Sequence, residues 1–281
     1  AVIGAAYAAG KTPQEIEAVA KTTDWKNMVD FTVPKAGLLQ GKLIEDQLRY
    51  LVGNKKFQQL HIPLQVAAYN ITKKKKAVFS RGDVAKAVRA SISIPGVVNP
   101  ATIDGNHYID GMIADPTPFD IVKDMGAGII IGVDLYNREE ETEKPKAKEK
   151  SLAKELTQKF VADELLNLRN YLIPDFWPEL CKKMLRWLFD KILYPARIVK
   201  IMAGREFPQI TKVLYQSLTI ITNNLARERM EHADIQFKIR PKFDGLDWLD
   251  FDKADKMIAI GERAMEKELP RLKQKNHTQK T

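Results

Sequence analysis

Tyr108-Ile109-Asp110-Gly111-Met112-Ile113-Ala114-Asp115-Pro116-Thr117-Pro118 is the stretch on which the reading of this chain turns. An apolar strand end runs into an acid, a glycine and two prolines. The glycine lets the backbone turn without a Cβ clash. The prolines keep the chain from re-entering a sheet. A carboxylate placed there stands where a sheet meets a cleft. Asp-Gly is also among the commonest turn dipeptides, so the stretch alone leaves both a turn acid and a chemical acid open.

Upstream, Thr102 to Ile109 reads as a hairpin with Asp104-Gly105-Asn106 as its turn, and its second arm delivers Asp110. Asp83 to Ser91 reads as a helix that ends in Ile92-Ser93-Ile94-Pro95-Gly96, because the residue before proline is pushed out of the helical region. Leu64 to Ile71 reads as a buried strand and Ala77 to Phe79 as its returning partner. The lysines between them, Lys73 to Lys76, read first as a solvated turn that discourages edge pairing, with an anion-binding role as the less favoured alternative. A helix from about Leu38 to Val52 carries Leu39, Leu43, Ile44, Leu48 and Leu51 near helical spacing. Thr12-Pro13-Gln14-Glu15 is a capping box opening a helix to about Lys21. Ala1 to Ala9 is a helix of small residues closed by Gly10, with no cap at its start.

Downstream, Phe119 to Asp124 starts a helix. Gly128 to Leu135 is a continuous apolar strand, the pattern of a parallel strand covered on both faces. Strands alternating with helices argue for an α/β layered domain. Asn137 to Lys150 is then polar, and Leu152 to Met202 reads as mostly helical. The α/β pattern resumes with a helix over Ile210 to Met230, a strand over Ala233 to Ile239 and a helix over Phe251 to Leu269. A basic, mobile tail follows from Arg271.

The 281 residues carry 44% hydrophobic and 29% charged side chains, which suits a globular protein with a substantial core. The longest apolar run, Ala127 to Val133, is far short of the ~20 residues of a membrane span. Cys181 is the single cysteine, so no internal disulfide forms, which suits a reducing compartment. His61, His107, His232 and His277 are scattered, and no Cys/His cluster has metal-ligand spacing. The net charge is +9, with 13 basic against 7 acidic residues between Lys144 and Lys200. Basic surface attracts polyanions. No nucleic-acid-binding signature accompanies it, so an anionic membrane ranks above nucleic acid. Glu179 to Leu193 places Cys181, Met184, Leu185, Leu188 and Ile192 on one face, with Trp177, Trp187 and Tyr194 nearby. That mix suits a bilayer interface over 176–200; packing against the core or a dimer partner is the competing reading.

Ser80, Ser91, Ser93, Ser151 and Ser217 are the serines, and none lies in the G-x-S-x-G elbow that exposes a nucleophile. No P-loop or dinucleotide glycine pattern occurs. The residues therefore show an acid in a good position and no nucleophile for it.

Several segments in order resemble the patatin-like phospholipases, in their bacterial and archaeal form. Ala1 to Gly10 resembles the helix that follows the family's G-x-S-x-G. Ala87 to Gly96 resembles the segment before its acid, and Tyr108 to Pro118 its Asp-Gly-Gly/Ala motif with trailing proline. Ala233 to Pro241 and the helix from Phe251 resemble its closing strand and helix. Met112 departs from the pattern, standing where the family has Gly or Ala.

The resemblance implies a three-layer α/β/α sandwich with a mostly parallel central sheet and a helical insertion. It implies an α/β domain over 1–135 and 209–272, a linker with helical insertion or lid over 136–208, and a basic tail over 273–281. It implies a lipid acyl ester hydrolase, of phospholipase A or lipase type, using a Ser-Asp dyad. Asp110 is its proton acceptor and Gly111 shapes the turn beside it. The serine and the oxyanion loop then lie upstream of Ala1, so this chain is expected to be part of a longer protein and inert towards esters alone. No cofactor or metal is implied. The expected partners are a lipid or ester substrate and an anionic membrane surface through 176–200, with no nucleic acid; a homo-oligomer stays open. The expected location is cytoplasmic, with membrane association. The competing reading is a non-catalytic lipid-surface or interaction module on the same fold.

Overall fold

Alanines dominate the first helix, α1 (Val2–Ala8), and it buries Ala5, Ala6 and Ala8. Side chains this small let a helix approach its neighbours closely. The computed structural model describes residues 1–23, 30, 37–136, 207–243, 246 and 253–278. They fall into two compact units. One comprises Ala1–Asp30, Pro34–Glu140 and Leu218–Thr281; the other comprises Phe31–Val33 and Glu141–Ser217. The helical block expected over Leu152 to Met202, including the amphipathic stretch at 176–200, lies outside the described residues.

Helix α2 (Pro13–Thr22) begins at the expected capping box, with Thr12 and Glu15 exchanging hydrogen bonds. The next helix starts later than its apolar spacing suggests. Gly37–Leu39 is strand β1, and α3 spans Lys42–Val52. The cause is Asp30, whose carboxylate accepts from the N–H groups of Gly41, Lys42 and Leu43 at 2.7, 2.5 and 3.0 Å. Those are the orphan donors of a helix start. Gly41 itself sits at φ 80°, a conformation costly for residues with a Cβ. Ile44, Leu48 and Val52 form the buried stripe of α3, while Leu43 is exposed.

After a 3-10 turn at Phe57–Gln59 come β2 (Val66–Asn70) and β3 (Lys75–Phe79). Helix α4 (Val84–Ser91) is capped by the Asp83 side chain, which accepts from Lys86 N–H. Strands β4 (Gly96–Val98), β5 (Ala101–Ile103) and β6 (Asn106–Asp110) follow. The β5–β6 turn has positive φ at both Asp104 and Gly105, the geometry that matches strand twist in a two-residue hairpin.

The sheets correct the expectation of one mostly parallel sheet. The largest has four strands in the order β3-β2-β6-β5, and each of its pairings is antiparallel. Two short hairpins impose the β2–β3 and β5–β6 pairings, since a tight turn can only return a strand beside itself in the opposite direction. Among the described residues, parallel pairing is confined to β1 with β4, and to β7 (Ile131–Val133) with β8 (Phe237–Ile239). Ala68, Ala90 and Tyr108 form the core under the four-stranded sheet, where Phe79 meets Tyr108 edge-on with ring centroids 5.0 Å apart.

Helix α5 (Phe119–Asp124) falls where the sequence places it. Helix α6 (Phe207–His232) brings Met230 onto Ile130 and Ile235. Strand β7 is not covered on both faces. Ile131, Val133 and Leu135 are 42%, 52% and 55% exposed, while Ile130 is buried. Ile235 and Met230 fill only the side towards Gly132, with Ile235 atoms 3.0 Å from where a Cβ would stand.

The closing helix, α7 (Ala254–Thr278), also departs from expectation, because the basic residues from Arg271 continue the helix through Pro270. Arg271 pairs with Glu268 at 2.7 Å, and the Lys275 ammonium lies 6.0 Å from the centre of the Phe237 ring on β8. The first contact lies within the helix, and the second joins it to β8. Among the described residues no helix is long and apolar enough to cross a membrane.

Candidate active site

Asp110 closes β6 and caps the 3-10 turn Gly111–Ile113. Its backbone pairs across to Ala68 of β2, and its N–H donates to the Ser93 carbonyl at 2.9 Å. One carboxylate oxygen, Oδ1, accepts from Met112 N–H at 2.9 Å. Burial pushes the carboxyl up to about 6 from its ordinary 3.8, because a charge removed from water is disfavoured. The Met112 N–H pulls it back part of the way. The Asp110 carboxylate lies within electrostatic reach of the Ala1 nitrogen, at the N-terminal end of α1.

Gly111 is required by contact. A Cβ there would lie 2.6 Å from the Ala67 carbonyl oxygen and 2.9 Å from its carbon. Both are backbone atoms of β2 that cannot swing away. Only a glycine lets the turn carrying the acid press against the strand beside it. Met112, partly buried, contributes the N–H that holds the acid.

Behind the acid lies a cation that sequence reasoning missed. Arg89, buried on α4, donates Nε to the Gly41 carbonyl at 2.8 Å. It donates Nη2 to the carbonyls of Gln40 and Asn99 at 2.9 Å each, and Nη1 to Ser93 Oγ. Ser93 Oγ in turn donates to the Arg89 carbonyl at 2.8 Å. Burial lowers the Arg89 pKa against the opposing fields of Glu45 and Asp30. The guanidinium thus ties three loops together: the start of α3, the Ser93 turn whose carbonyl holds Asp110, and the end of β4. Ser93 is fully buried and spent on this role.

The second acid of the motif, Asp115, is buried and doubly paired. Its Oδ2 meets Lys76 Nζ at 2.7 Å, and its Oδ1 faces Arg229 Nε at 3.1 Å as an ion pair without hydrogen-bond geometry. Arg229 of α6 also pairs with Asp120 and lies over the Phe119 ring, 5.3 Å from its centre. These pairings fasten the segment after the acid to α6.

Tyr136 is the other residue the sequence left unnoticed. Its hydroxyl is pushed up to about 12, chiefly by burial and then by the charges of Asp110 and Asp134. Being within reach of the Asp110 charge puts Tyr136 at the site. Its position, 26 residues beyond the acid by number, gave no local signal. Asp134 fixes the Tyr136 backbone by accepting its N–H at 3.0 Å. Among the described residues, no group of three His, Cys, Asp or Glu side chains could hold a metal ion.

Residues 1–123 match the family model described as patatin-like phospholipase. The chain is 35% identical over 142 residues to an uncharacterized NTE family protein of Mycobacterium tuberculosis, covering 50% of this chain and 39% of that protein. It is 26% identical over 148 residues to the rat patatin-like phospholipase domain-containing protein 7, covering 50% of this chain and 11% of that one. A lysophospholipase NTE1 of Coccidioides immitis is 24% identical over 250 residues, 89% of this chain and 13% of its own length. The chain spans about two fifths of the first of these relatives and far less of the others. Residues 1–123, which hold Asp110 and Gly111 amid a sheet and helices, are a patatin-like phospholipase domain, and the relatives that share it are NTE family patatin-like proteins.

Proposed function

We propose that this chain supplies the acid half of a Ser-Asp dyad in a lipid acyl ester hydrolase of the phospholipase A or lipase type. The observation that carries the reading is Asp110. It is a buried carboxylate at a strand end, with its acidity moved to about 6, near the start of α1. A base whose pKa lies nearer neutrality is a better proton acceptor while remaining ionised at pH 7. The names of the relatives, a lysophospholipase among them, supply the substrate class.

In this reading a serine from a segment preceding Ala1 attacks the ester carbonyl, and Asp110 takes the hydroxyl proton. The C–O bond to the leaving alcohol breaks, the alcohol receives the proton from Asp110, and an acyl-serine remains. Water then attacks the acyl carbon, Asp110 accepts its proton, and the serine is released with that proton while the fatty acid departs. Residues 1–135 with 209–272 form the catalytic body, and 136–208 form an insertion.

The test uses protein that includes the residues before Ala1. A fluorophosphonate probe, which labels only an activated serine, is expected to label it. Asp110→Asn is expected to slow both labelling and phospholipid hydrolysis by roughly 100-fold or more, the range of a general base. Equal labelling rates in both proteins would remove Asp110 from the chemistry.

A further inference from the structure

The turn between β2 and β3 carries Ile71, Thr72, Lys73 and Lys74, β3 opens with Lys75 and Lys76, and all six side chains are exposed. Lys76 is committed to Asp115. Among the described residues Lys73, Lys74 and Lys75 have no ion-pair partner. Protection of an edge strand accounts for part of this run only. Lys75 lies on β3, the edge of the four-stranded sheet, where lysine discourages further pairing. Lys73 and Lys74 lie in the turn, where there is no edge to protect. Lys74 moreover adopts φ 53°, a left-handed conformation for which Gly or Asn is the favourable choice. Lys74 is thus held against backbone preference, beside other cations that repel it.

The tip is also rigid. Asn70, buried, accepts from Lys73 N–H through Oδ1 at 2.8 Å. Ile71 N–H donates to the His107 carbonyl at 2.9 Å, and Thr72 Oγ1 accepts from His107 N–H at 2.9 Å. The three ammonium groups are thus displayed on a fixed turn, with Ile71, an exposed aliphatic side chain, beside them.

We propose that this hairpin tip is an anionic-lipid docking element, in which Lys73, Lys74 and Lys75 meet headgroup phosphates and Ile71 enters the headgroup boundary. Charge complementarity selects an anionic surface. The neighbour of the lysines is aliphatic, and residues 70–76 carry no aromatic ring on which a base could stack, which favours lipid over single-stranded nucleic acid. The tip belongs to the strand that holds the acid in register. Asp110 lies opposite Ala68, and Ala68 is roughly 10 Å of strand from Ile71. Docking therefore orients the site relative to the membrane. The choice of lipid rests on the hydrolase reading; the binding does not depend on catalysis.

Flotation with ether-linked phosphatidylcholine vesicles, with and without ether-linked phosphatidylserine, separates the two, since ether lipids cannot be hydrolysed. The chain is expected to float only with the anionic vesicles. Lys73→Gln/Lys74→Gln/Lys75→Gln is expected to weaken this about 100-fold, on the order of five-fold per lysine. A control with the same charge loss on other exposed lysines, Lys86→Gln/Lys123→Gln/Lys256→Gln, is expected to stay within about 3-fold. Lys74→Gly is expected to raise the melting temperature while weakening binding, which keeps the test independent of folding defects. Ile71→Ser is expected to make the bound protein easier to release with salt. Equal loss in the two triple variants, no loss in either, or no flotation of the unaltered chain would overturn the proposal. So would preference for a labelled oligonucleotide that the hairpin triple alone abolishes. Vesicle binding here, together with no hydrolysis of ester-linked phospholipid by protein that includes the residues before Ala1, would reject the hydrolase reading and leave the docking element standing.

Discussion

Asp110 hangs its backbone N–H on the carbonyl of Ser93 at 2.9 Å, and Ser93 is in turn gripped by Arg89. The position of the acid is thus set by a guanidinium on another helix. Arg89→Lys keeps the charge but loses the planar fork that reaches three carbonyls and a hydroxyl at once. At least two of those buried acceptors would be left unpaired, at about 1–3 kcal/mol each. The expected result is a loss of roughly 2–4 kcal/mol in urea unfolding. In the complete protein kcat should fall more than KM rises, because Arg89 touches no substrate and acts by placing Asp110.

The raised acidity of Asp110 makes a pH prediction with a definite sign. Its carboxyl ordinarily titrates at 3.8 and in the folded protein at about 6. Between those values the folded state holds a proton that the unfolded state has released. The stability is therefore greatest below about pH 4 and declines up to about pH 6, then stays level. The full decline is on the order of 3 kcal/mol. Asp110→Asn keeps an acceptor for Met112 N–H and removes the burial of charge. It should be more stable than the parent at about pH 7, with the difference vanishing near about pH 4. Activity should run the other way: kcat/KM of the complete protein should rise with pH through a midpoint near 6. A stability difference that does not change with pH would disprove the burial account.

The contrast between what was and was not legible in the sequence follows sequence separation. The Thr12–Glu15 capping box, the Asp104-Gly105 turn and helix α5 are written in adjacent residues, and each stands where it was read. Asp110 and Gly111 were visible because a strand end, an acid and a glycine occur together. The start of α3 was misplaced because its cap, Asp30, is 11 positions from Gly41. Arg89 was passed over because a helical arginine ordinarily faces water, and its partner Gly41 is 48 positions away. The sheet was expected to be parallel because alternating strands and helices suggest crossovers. The two hairpins, both recognised individually, force antiparallel pairing of β2 with β3 and of β5 with β6, and β2 meets β6 antiparallel as well. The exposed face of β7 has the same origin: an apolar run tells how many faces could be covered, not how many neighbours arrive.

Gly111→Ala tests the close approach of the acid's turn to β2. The added methyl would stand 2.6 Å from the Ala67 carbonyl oxygen, inside any tolerable contact. Because the obstacle is backbone hydrogen-bonded in the sheet, relief requires the turn to move. A destabilisation of about 1–3 kcal/mol is expected, the range of overpacked sites. The shift should also uncouple Asp110 from Met112 N–H, so activity should fall even at temperatures where the variant is fully folded. Gly105→Ala is the comparison, since nothing lies within 4 Å of its Cβ position and the cost there comes only from its φ of 71°. An equal loss of activity in the two variants would show that contact with Ala67 is not the cause.

Asp115 separates scaffold from chemistry within the same motif. Its side chain is fully buried between Lys76 and Arg229, which keep about a third and a quarter of theirs exposed. Asp115→Asn strips the charge from the buried partner and leaves two cations facing a neutral amide. Removing one member of a buried pair costs 3–5 kcal/mol; the partial hydration of both cations reduces this to roughly 2–3 kcal/mol. The loss should change little with added salt, because the carboxylate is shielded from counterions, whereas the exposed Lys11–Glu15 pair should lose its small contribution as salt rises. The pH–activity midpoint should stay near that of the parent, since Asp115 is not in contact with Asp110's proton-accepting oxygens among the described hydrogen bonds. A variant that folds normally but loses its pH dependence would make Asp115, and not Asp110, the titrating acid of the site.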